Sequence, residues 1–193
     1  MRNEMEIVIH RERLHVTLKH DFFPDADALL NRLEQMEWKN GQRREHKDYG
    51  DKGAFYDLKL GGYSGYPYTT IHREVTNWEN EPLLLNAKNN LPTKECNYCI
   101  VQRYKDGSIG MNRHKDNEME ERPIYGLSLG ATRTLVLYPP SFNSIDKTPV
   151  RIPLPHNSLY TLLYPTNKYW MHCIEEDTSI KDVRYSITFR KSK

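Results

Sequence analysis

The second half of the chain is a close series of short segments rich in β-forming residues, with turn residues between them. These segments cover 97–105, 124–130, 133–138, 149–153, 157–163, 168–174 and 184–190. Many short strands separated by turn signals are typical of a β-sandwich or a jelly roll. This half of the chain is therefore expected to form β-sheets packed around one core.

The first half supplies the predicted helices. Apolar residues recur at helical spacing after Pro24, with Asp25 in the capping position, and a second helix is predicted from 81 to 90. Residues 7–20 alternate loosely and suggest an entry strand, whereas 40–76 changes to polar loops and glycine-hinged hairpins rich in tyrosine. The whole pattern predicts a mainly β fold with flanking helices, of the α+β class.

Length and composition indicate a single domain. The 193 residues have one continuous composition without an internal repeat, and this length can form a sizeable core. The 28 basic and 26 acidic residues give a net charge too small to predict strong non-specific binding to polyanions. Three cysteines, an odd number, do not indicate a disulfide framework. No apolar run approaches membrane-spanning length and no signal peptide is apparent, so we expect an intracellular monomer that does not contact membranes.

A candidate metal site lies at His114-Lys115-Asp116. On an extended strand, residues two positions apart point to the same side, so this imidazole and this carboxylate could share one metal ion. A second imidazole would complete the facial triad of non-haem Fe(II) oxygenases, which leaves coordination positions open for a co-substrate and O₂. His172 is the candidate for that imidazole. The same tripeptide pattern also occurs at His46-Lys47-Asp48, so the pattern alone does not decide between the two copies.

The segment 184–190 reads as a half-buried strand with period-two alternation. Tyr185, Ile187 and Phe189 share one face, and the other face carries Arg184, Ser186, Thr188 and Arg190. Guanidinium groups bind carboxylates with two parallel hydrogen bonds, and hydroxyl groups can add further bonds. The polar face therefore predicts a site for a dicarboxylate, although a solvated strand face with salt bridges has the same pattern.

Taken together, these features resemble the AlkB family of Fe(II)- and 2-oxoglutarate-dependent nucleic-acid dealkylating dioxygenases. The resemblance rests on His-x-Asp, a later His, and an Arg-x5-Arg strand 12 positions beyond that His. It extends to the surrounding motifs at 103–107, 127–134 and 165–167, and it looks closest to the animal branch that repairs alkylated DNA and RNA. It covers roughly residue 43 to the end and is strongest from Asn97 onward.

The resemblance implies a double-stranded β-helix (jelly-roll) core at 93–193, preceded by an N-terminal extension with a nucleotide-recognition lid at 1–92. It implies that His114, Asp116 and His172 hold Fe(II). The residues implied to bind the co-substrate 2-oxoglutarate are Gln102, Tyr104, Arg184, Ser186, Thr188 and Arg190. Gln102 and Ser186 stand where relatives usually carry Asn, and both can still form hydrogen bonds, so we expect altered affinity for 2-oxoglutarate and not lost binding.

The resemblance also implies the reaction. Bases such as 1-methyladenine and 3-methylcytosine in DNA or RNA would be demethylated oxidatively, with 2-oxoglutarate converted to succinate and formaldehyde released. Tyr56 falls near an aromatic that lies over the flipped base, Arg43 and Arg44 could meet phosphates, and Glu118 is expected to accept a hydrogen bond from the base. Two alternatives stay open: an oxygenase that hydroxylates a protein or small molecule, and a non-catalytic nucleic-acid-binding relative.

Overall fold

The computed structural model describes residues 6–41, 44–52, 55–60, 69–116, 121–140 and 146–191, with the backbone alone described for 55–60 and 69–74. The strands are β1 (Glu6–Arg11), β2 (Leu14–Lys19), β3 (Glu45–Gly50), β4 (Phe55–Leu60), β5 (Thr69–Glu74), β6 (Thr76–Asn77), β7 (Tyr98–Tyr104), β8 (Met111–His114), β9 (Ile124–Gly130), β10 (Arg133–Tyr138), β11 (Val150–Leu154), β12 (Ser158–Leu162), β13 (Met171–Ile174) and β14 (Arg184–Arg190). The helices are α1 (Ala26–Glu34), α2 (Pro82–Asn89) and α3 (Thr166–Tyr169), with a 3-10 turn at Trp78–Asn80 before α2.

Two sheets build the body of the protein. An eight-stranded sheet has the order β1-β2-β12-β9-β14-β7-β3-β6, and a four-stranded sheet has the order β11-β10-β13-β8. Apolar side chains from both sheets, such as Leu14, Ile124, Leu137 and Ile152, form one buried cluster between them. A separate antiparallel pair joins β4 to β5. The predicted mainly β fold with a jelly-roll core is thus confirmed.

Helices α1 and α2 pack on the outer face of the eight-stranded sheet. Leu29 and Leu33 of α1, together with Leu84 of α2, are buried in a second apolar cluster against residues of β7, β9 and β14. Asp25 does not cap α1 with its side chain as the sequence suggested. Its carboxylate instead accepts a hydrogen bond of 2.9 Å from Asn86, which ties α1 to α2.

Strand β14 separates the two cores, and its two faces differ as the alternation predicted. Tyr185, Ile187 and Phe189 belong to the cluster beneath the helices, whereas Arg184 and Arg190 line an interior cavity on the opposite face. The prediction that this strand is only half-buried was wrong, because all seven of its residues are buried. The polar face is enclosed between the sheets and is not a solvated surface.

Three stretches differ from the elements that the sequence suggested. The entry strand is a hairpin, β1 and β2, which turns at Arg13 with a φ of 57°. Residues 168–174 contain the end of α3 and the whole of β13. The stretch 45–50, predicted as polar loop, is strand β3, which pairs with β7. Its polar composition hid the strand, because His46 lines the cavity and Tyr49 supplies the buried apolar contact on the other face.

Strands from both halves of the chain share the large sheet, since β2 pairs there with β12 and β3 pairs with β7. Among the described residues, no helix is long and apolar enough to cross a membrane.

Candidate functional site

Two neighbouring strands of the small sheet bring the predicted metal ligands together. His114 is the last residue of β8 and lies directly opposite His172 of β13, with ring centroids 4.2 Å apart. Asp116 follows two residues after His114, just beyond the end of the strand. The possible ligand atoms of His114, Asp116 and His172 all lie within 4.8 Å of one another, which is close enough for a single metal ion to bind all three.

Asp116 is held although it lies past the end of β8, where the strand ladder no longer fixes the backbone. Asn167 of α3 accepts a hydrogen bond of 3.0 Å from the backbone nitrogen of Asp116 and donates one of 2.7 Å to its carbonyl oxygen. Arg190 donates a hydrogen bond of 2.9 Å to the carboxylate. Arg190 therefore lies at the metal end of the cavity. Asn167 belongs to the motif at 165–167, but the sequence alone did not identify it as a site residue.

Two of the three candidate ligands, Asp116 and His172, have pKa values shifted toward the forms that bind metal ions. Burial opposes ionisation of Asp116, but the charge of Arg190 and the neighbouring His114 and His172 together hold the pKa of Asp116 well below its usual range. Burial lowers the pKa of His172 to about 4, although Asp116 opposes this shift. At neutral pH the site therefore offers an ionised carboxylate and a neutral imidazole, and metal ions require both in this form.

The other end of the same cavity contains a buried guanidinium group for which the described residues supply no carboxylate partner. Arg184 is 1% exposed, and its Nε donates a hydrogen bond of 2.9 Å to Ser128. Its Nη1 and Nη2, like the hydroxyl group of the buried Tyr104, have no hydrogen-bond partner among the described residues. The guanidinium carbon lies 5.1 Å from the centroid of the Tyr104 ring. Buried donors left unpaired in this way are costly, which indicates that a ligand satisfies them.

A cavity of about 580 Å³ joins the two ends. Its lining includes most of the predicted site residues, namely Arg44, Gln102, Tyr104, His114, Asp116, His172, Arg184, Ser186, Thr188 and Arg190. Gln102 and Ser186 are directly paired across β7 and β14, so the two departures from the family pattern are neighbours. Arg43 and Glu118 lie outside the described residues, and the backbone of Tyr56 lies in β4 but its side chain is not described.

The second His-x-Asp copy lies beside the same cavity and contributes one residue to its lining. His46 lines the cavity, and strand pairing places it beside Gln102. Its Nε2 lies 3.6 Å from the Asp48 carboxylate, the same separation as between His114 and Asp116. The copies differ in the third ligand, because His114 and Asp116 have His172 nearby, and no comparable group forms around His46 in the described part of the chain.

Comparison with known proteins places this arrangement in a family. Residues 15–190 match the model of the 2OG-Fe(II) oxygenase superfamily. The chain therefore belongs to the 2OG-Fe(II) oxygenase superfamily, whose name implies Fe(II), 2-oxoglutarate and O₂. Similarity to AlkB homologues confirms the AlkB resemblance.

Two human proteins and one solved structure illustrate this similarity. The chain is 29% identical over 157 residues to human DNA oxidative demethylase ALKBH2, covering 77% of this chain and 56% of that one. It is 29% identical over 182 residues to human alpha-ketoglutarate-dependent dioxygenase alkB homolog 3, covering 86% of this chain and 61% of that one. The chain thus spans little more than half the length of these relatives. The structure of OsALKBH1 matches 96% of this chain and all of its own with a TM-score of 0.58, and at 13% identity that likeness concerns the fold.

The residues present fit the groups that the family implies. Two imidazoles and one carboxylate on one side of a cavity form the donor set of a non-haem Fe(II) centre, with positions left for other ligands. The unpaired donors of Arg184 and Tyr104 fit the distal carboxylate of 2-oxoglutarate, since a guanidinium binds a carboxylate with two parallel bonds. Ser186 and Thr188 line the wall between these two ends.

Proposed function

We propose that this chain demethylates alkylated nucleobases in DNA or RNA. In the overall reaction, an N-methylated base, 2-oxoglutarate and O₂ give the unmodified base, formaldehyde, succinate and CO₂. One atom of O₂ is incorporated into succinate and the other bonds to the methyl carbon, which then leaves as formaldehyde. The nitrogen of a neutral base is left with a proton, whereas a cationic base returns to its neutral form. Bases such as 1-methyladenine and 3-methylcytosine are the proposed substrates.

His114, Asp116 and His172 would hold Fe(II), which with 2-oxoglutarate and O₂ supplies the oxidation of the methyl group. Arg190 keeps Asp116 ionised and oriented by donating a hydrogen bond to it. Asn167 fixes the backbone on which that carboxylate depends. The protein's part at this end is to hold three ligands in a fixed arrangement, so that binding does not require them to be reordered.

Arg184 and Tyr104 would bind the distal carboxylate of 2-oxoglutarate at the opposite end of the cavity. This assignment rests on the observation that carries the proposal: the buried donors of both residues are unpaired, and they share one cavity with the metal ligands. A co-substrate held at its distal end would present its 2-oxo acid group toward His114 and Asp116.

The choice of a nucleic-acid substrate rests on the similarity to proteins named DNA oxidative demethylase ALKBH2. Arg44 lines the cavity on the side of β3, where it could meet a phosphate of the target nucleotide. Tyr56 is proposed to contact the substrate on the family resemblance, whereas Arg43 is proposed from its charge and Glu118 from its charge and its position two residues beyond Asp116. We further propose that the chain acts as one domain and as a monomer, with residues 1–92 supplying the lid and 93–193 the catalytic core.

A panel of methylated oligonucleotides tests this function. Single-stranded and duplex DNA and RNA, each with one 1-methyladenine, 3-methylcytosine or 3-methylthymine, would be incubated with protein, Fe(II) and 2-oxoglutarate, and the products weighed by mass spectrometry. We expect a loss of 14 mass units, the difference between a methyl group and a hydrogen atom, from at least one substrate, and no loss with the Asp116→Ala variant. Turnover of 2-oxoglutarate without any change in oligonucleotide mass would refute the proposal.

A further inference from the structure

A buried arginine outside the metal and co-substrate contacts lies beside the co-substrate end of the cavity. Arg133, the first residue of β10, is 2% exposed and is not among the residues that line the cavity. Its guanidinium carbon lies 5.7 Å from the centroid of the Tyr104 ring, and that of Arg184 lies 5.1 Å from the same centroid. Two buried guanidinium groups thus flank the tyrosine that faces the proposed carboxylate site.

The hydrogen bonds of Arg133 do not neutralise its charge. The four bonds that it donates to described residues all end on backbone carbonyl oxygens, of Asp106, Gly107, Ile109 and Glu175, at 2.6–3.4 Å. Burial and the positive charge of Arg184 lower the pKa of Arg133, although the Asp106 and Asp177 carboxylates oppose this shift. A carbonyl oxygen satisfies a donor without cancelling the charge, so the net positive charge remains in the protein interior.

The same hydrogen bonds join two turns that form one wall of the cavity. Gly107 donates a backbone hydrogen bond of 2.9 Å to Ile180, and Asp177 donates one of 2.8 Å to Gly107. The two turns meet so closely that a Cβ atom at Gly107 would lie 1.7 Å from the carbonyl oxygen of Asp177. Ile109 and Glu176, one on each turn, both line the cavity. Arg133 bonds to carbonyls of both segments and therefore fixes the wall next to Tyr104.

We propose that Arg133 is a positioning residue of the co-substrate site, whose charge reinforces that of Arg184 and makes the site select a 2-oxo acid with a second carboxylate. This inference rests on the proposed function, because it assumes that 2-oxoglutarate occupies the cavity with its distal carboxylate at Arg184. Arg133 acts on that carboxylate through its electric field and through the wall that it holds, without touching it.

Calorimetry separates this role from a purely structural one. Mn(II)-loaded protein, in the absence of O₂, would be titrated with 2-oxoglutarate and with 2-oxopentanoate, which has the same chain length but no distal carboxylate. We expect Arg133→Met and Arg133→Gln to weaken the binding of 2-oxoglutarate on the order of tenfold, as expected for one charge removed near a carboxylate in a partly polar interior. Binding of 2-oxopentanoate should change by less than about threefold, because it has no carboxylate to respond to this charge.

Further variants control for charge and for stability. Arg133→Lys keeps the charge but loses the forked bonds, so we expect it to keep most of the wild-type preference for 2-oxoglutarate. Leu33→Ala, in the separate apolar cluster beneath the helices, should lower stability while leaving both affinities unchanged. Arg133→Gln can still donate to carbonyls, so it provides the test if Arg133→Met does not fold.

The affinities of the Arg133 variants for the two acids distinguish the proposed role of Arg133 from a purely structural one. Equal weakening of both acids, unchanged binding of both, or a loss in Arg133→Lys as large as in Arg133→Gln would each overturn the role proposed for Arg133. In those cases wild-type protein would still bind 2-oxoglutarate, and the proposed function would stand. Wild-type protein that binds neither acid would overturn the proposed function together with this inference.

Discussion

Replacing Arg184 by Met should weaken the binding of 2-oxoglutarate while making the ligand-free protein more stable. Arg184 is fully buried, and two of its three nitrogens have no partner among the described residues. Losing one partner of a buried charge pair costs about 2–5 kcal/mol, which corresponds to a roughly 30-fold to several-thousand-fold weaker affinity. Met keeps much of the side-chain volume, so the loss would come from the missing guanidinium and not from a large void.

The opposite effect on stability follows from the same unpaired charge. In the absence of ligand, the unfavourable desolvation free energy of the buried guanidinium is offset only by its hydrogen bond to Ser128. Replacing a buried charge by an apolar side chain is often stabilising, by about 1 kcal/mol or more. Titration of Mn(II)-loaded protein with 2-oxoglutarate and urea unfolding of metal-free protein would measure the two effects. Arg151→Met is the matched control, because Arg151 is exposed and pairs with Glu175 outside the cavity. An unchanged titration together with lower stability would refute this reasoning.

Three further predictions concern the metal ligands and the base. His114→Ala should abolish Mn(II) binding by calorimetry, whereas His46→Ala should retain it, because a third ligand is present only beside His114 in the described part of the chain; the reverse result would reassign the metal site. The pKa of His172 falls to about 4 in the folded protein, so the unfolded protein binds more protons than the folded protein between pH 6.5 and 4. The free energy of unfolding of metal-free protein should therefore decrease by on the order of 3 kcal/mol as the pH falls through that window. His172→Gln should flatten this pH dependence. Glu118→Gln, if Glu118 contacts the base, should slow demethylation of cationic 1-methyladenine and 3-methylcytosine more than of neutral 3-methylthymine; equal slowing of all three in initial-rate assays would remove it from the site.

The sequence predicted those features of the site that depend on local periodicity. Alternation along 184–190 placed Arg184 and Arg190 on one face, and the structure confirms that this face lines the cavity. The sequence offered His172 as the second imidazole, but it did not predict the pairing of β8 with β13 that brings His172 opposite His114, since strand pairing between distant segments leaves no local signal.

Features that depend on distant partners were missed for the same reason. Asn167 forms hydrogen bonds with the backbone of Asp116, 51 positions away in the sequence, and Arg133 donates hydrogen bonds to carbonyl oxygens 24–42 positions away. Strand β3 was taken for a loop because its cavity-facing residues are polar, so the alternation of apolar and polar residues that identifies a half-buried strand is weak there. His46 entered the cavity unexpectedly as part of that strand.

The ratio of formaldehyde to succinate tests the central claim most directly. With a methylated oligonucleotide, Fe(II), 2-oxoglutarate and O₂, we expect wild-type protein to form the two products in equal amounts above the substrate-free background, and the mass of the oligonucleotide to fall in proportion. The Asp116→Ala variant should form neither product, because it lacks one of the three ligands. Succinate formed without formaldehyde, at a rate that the oligonucleotide does not change, would contradict the account.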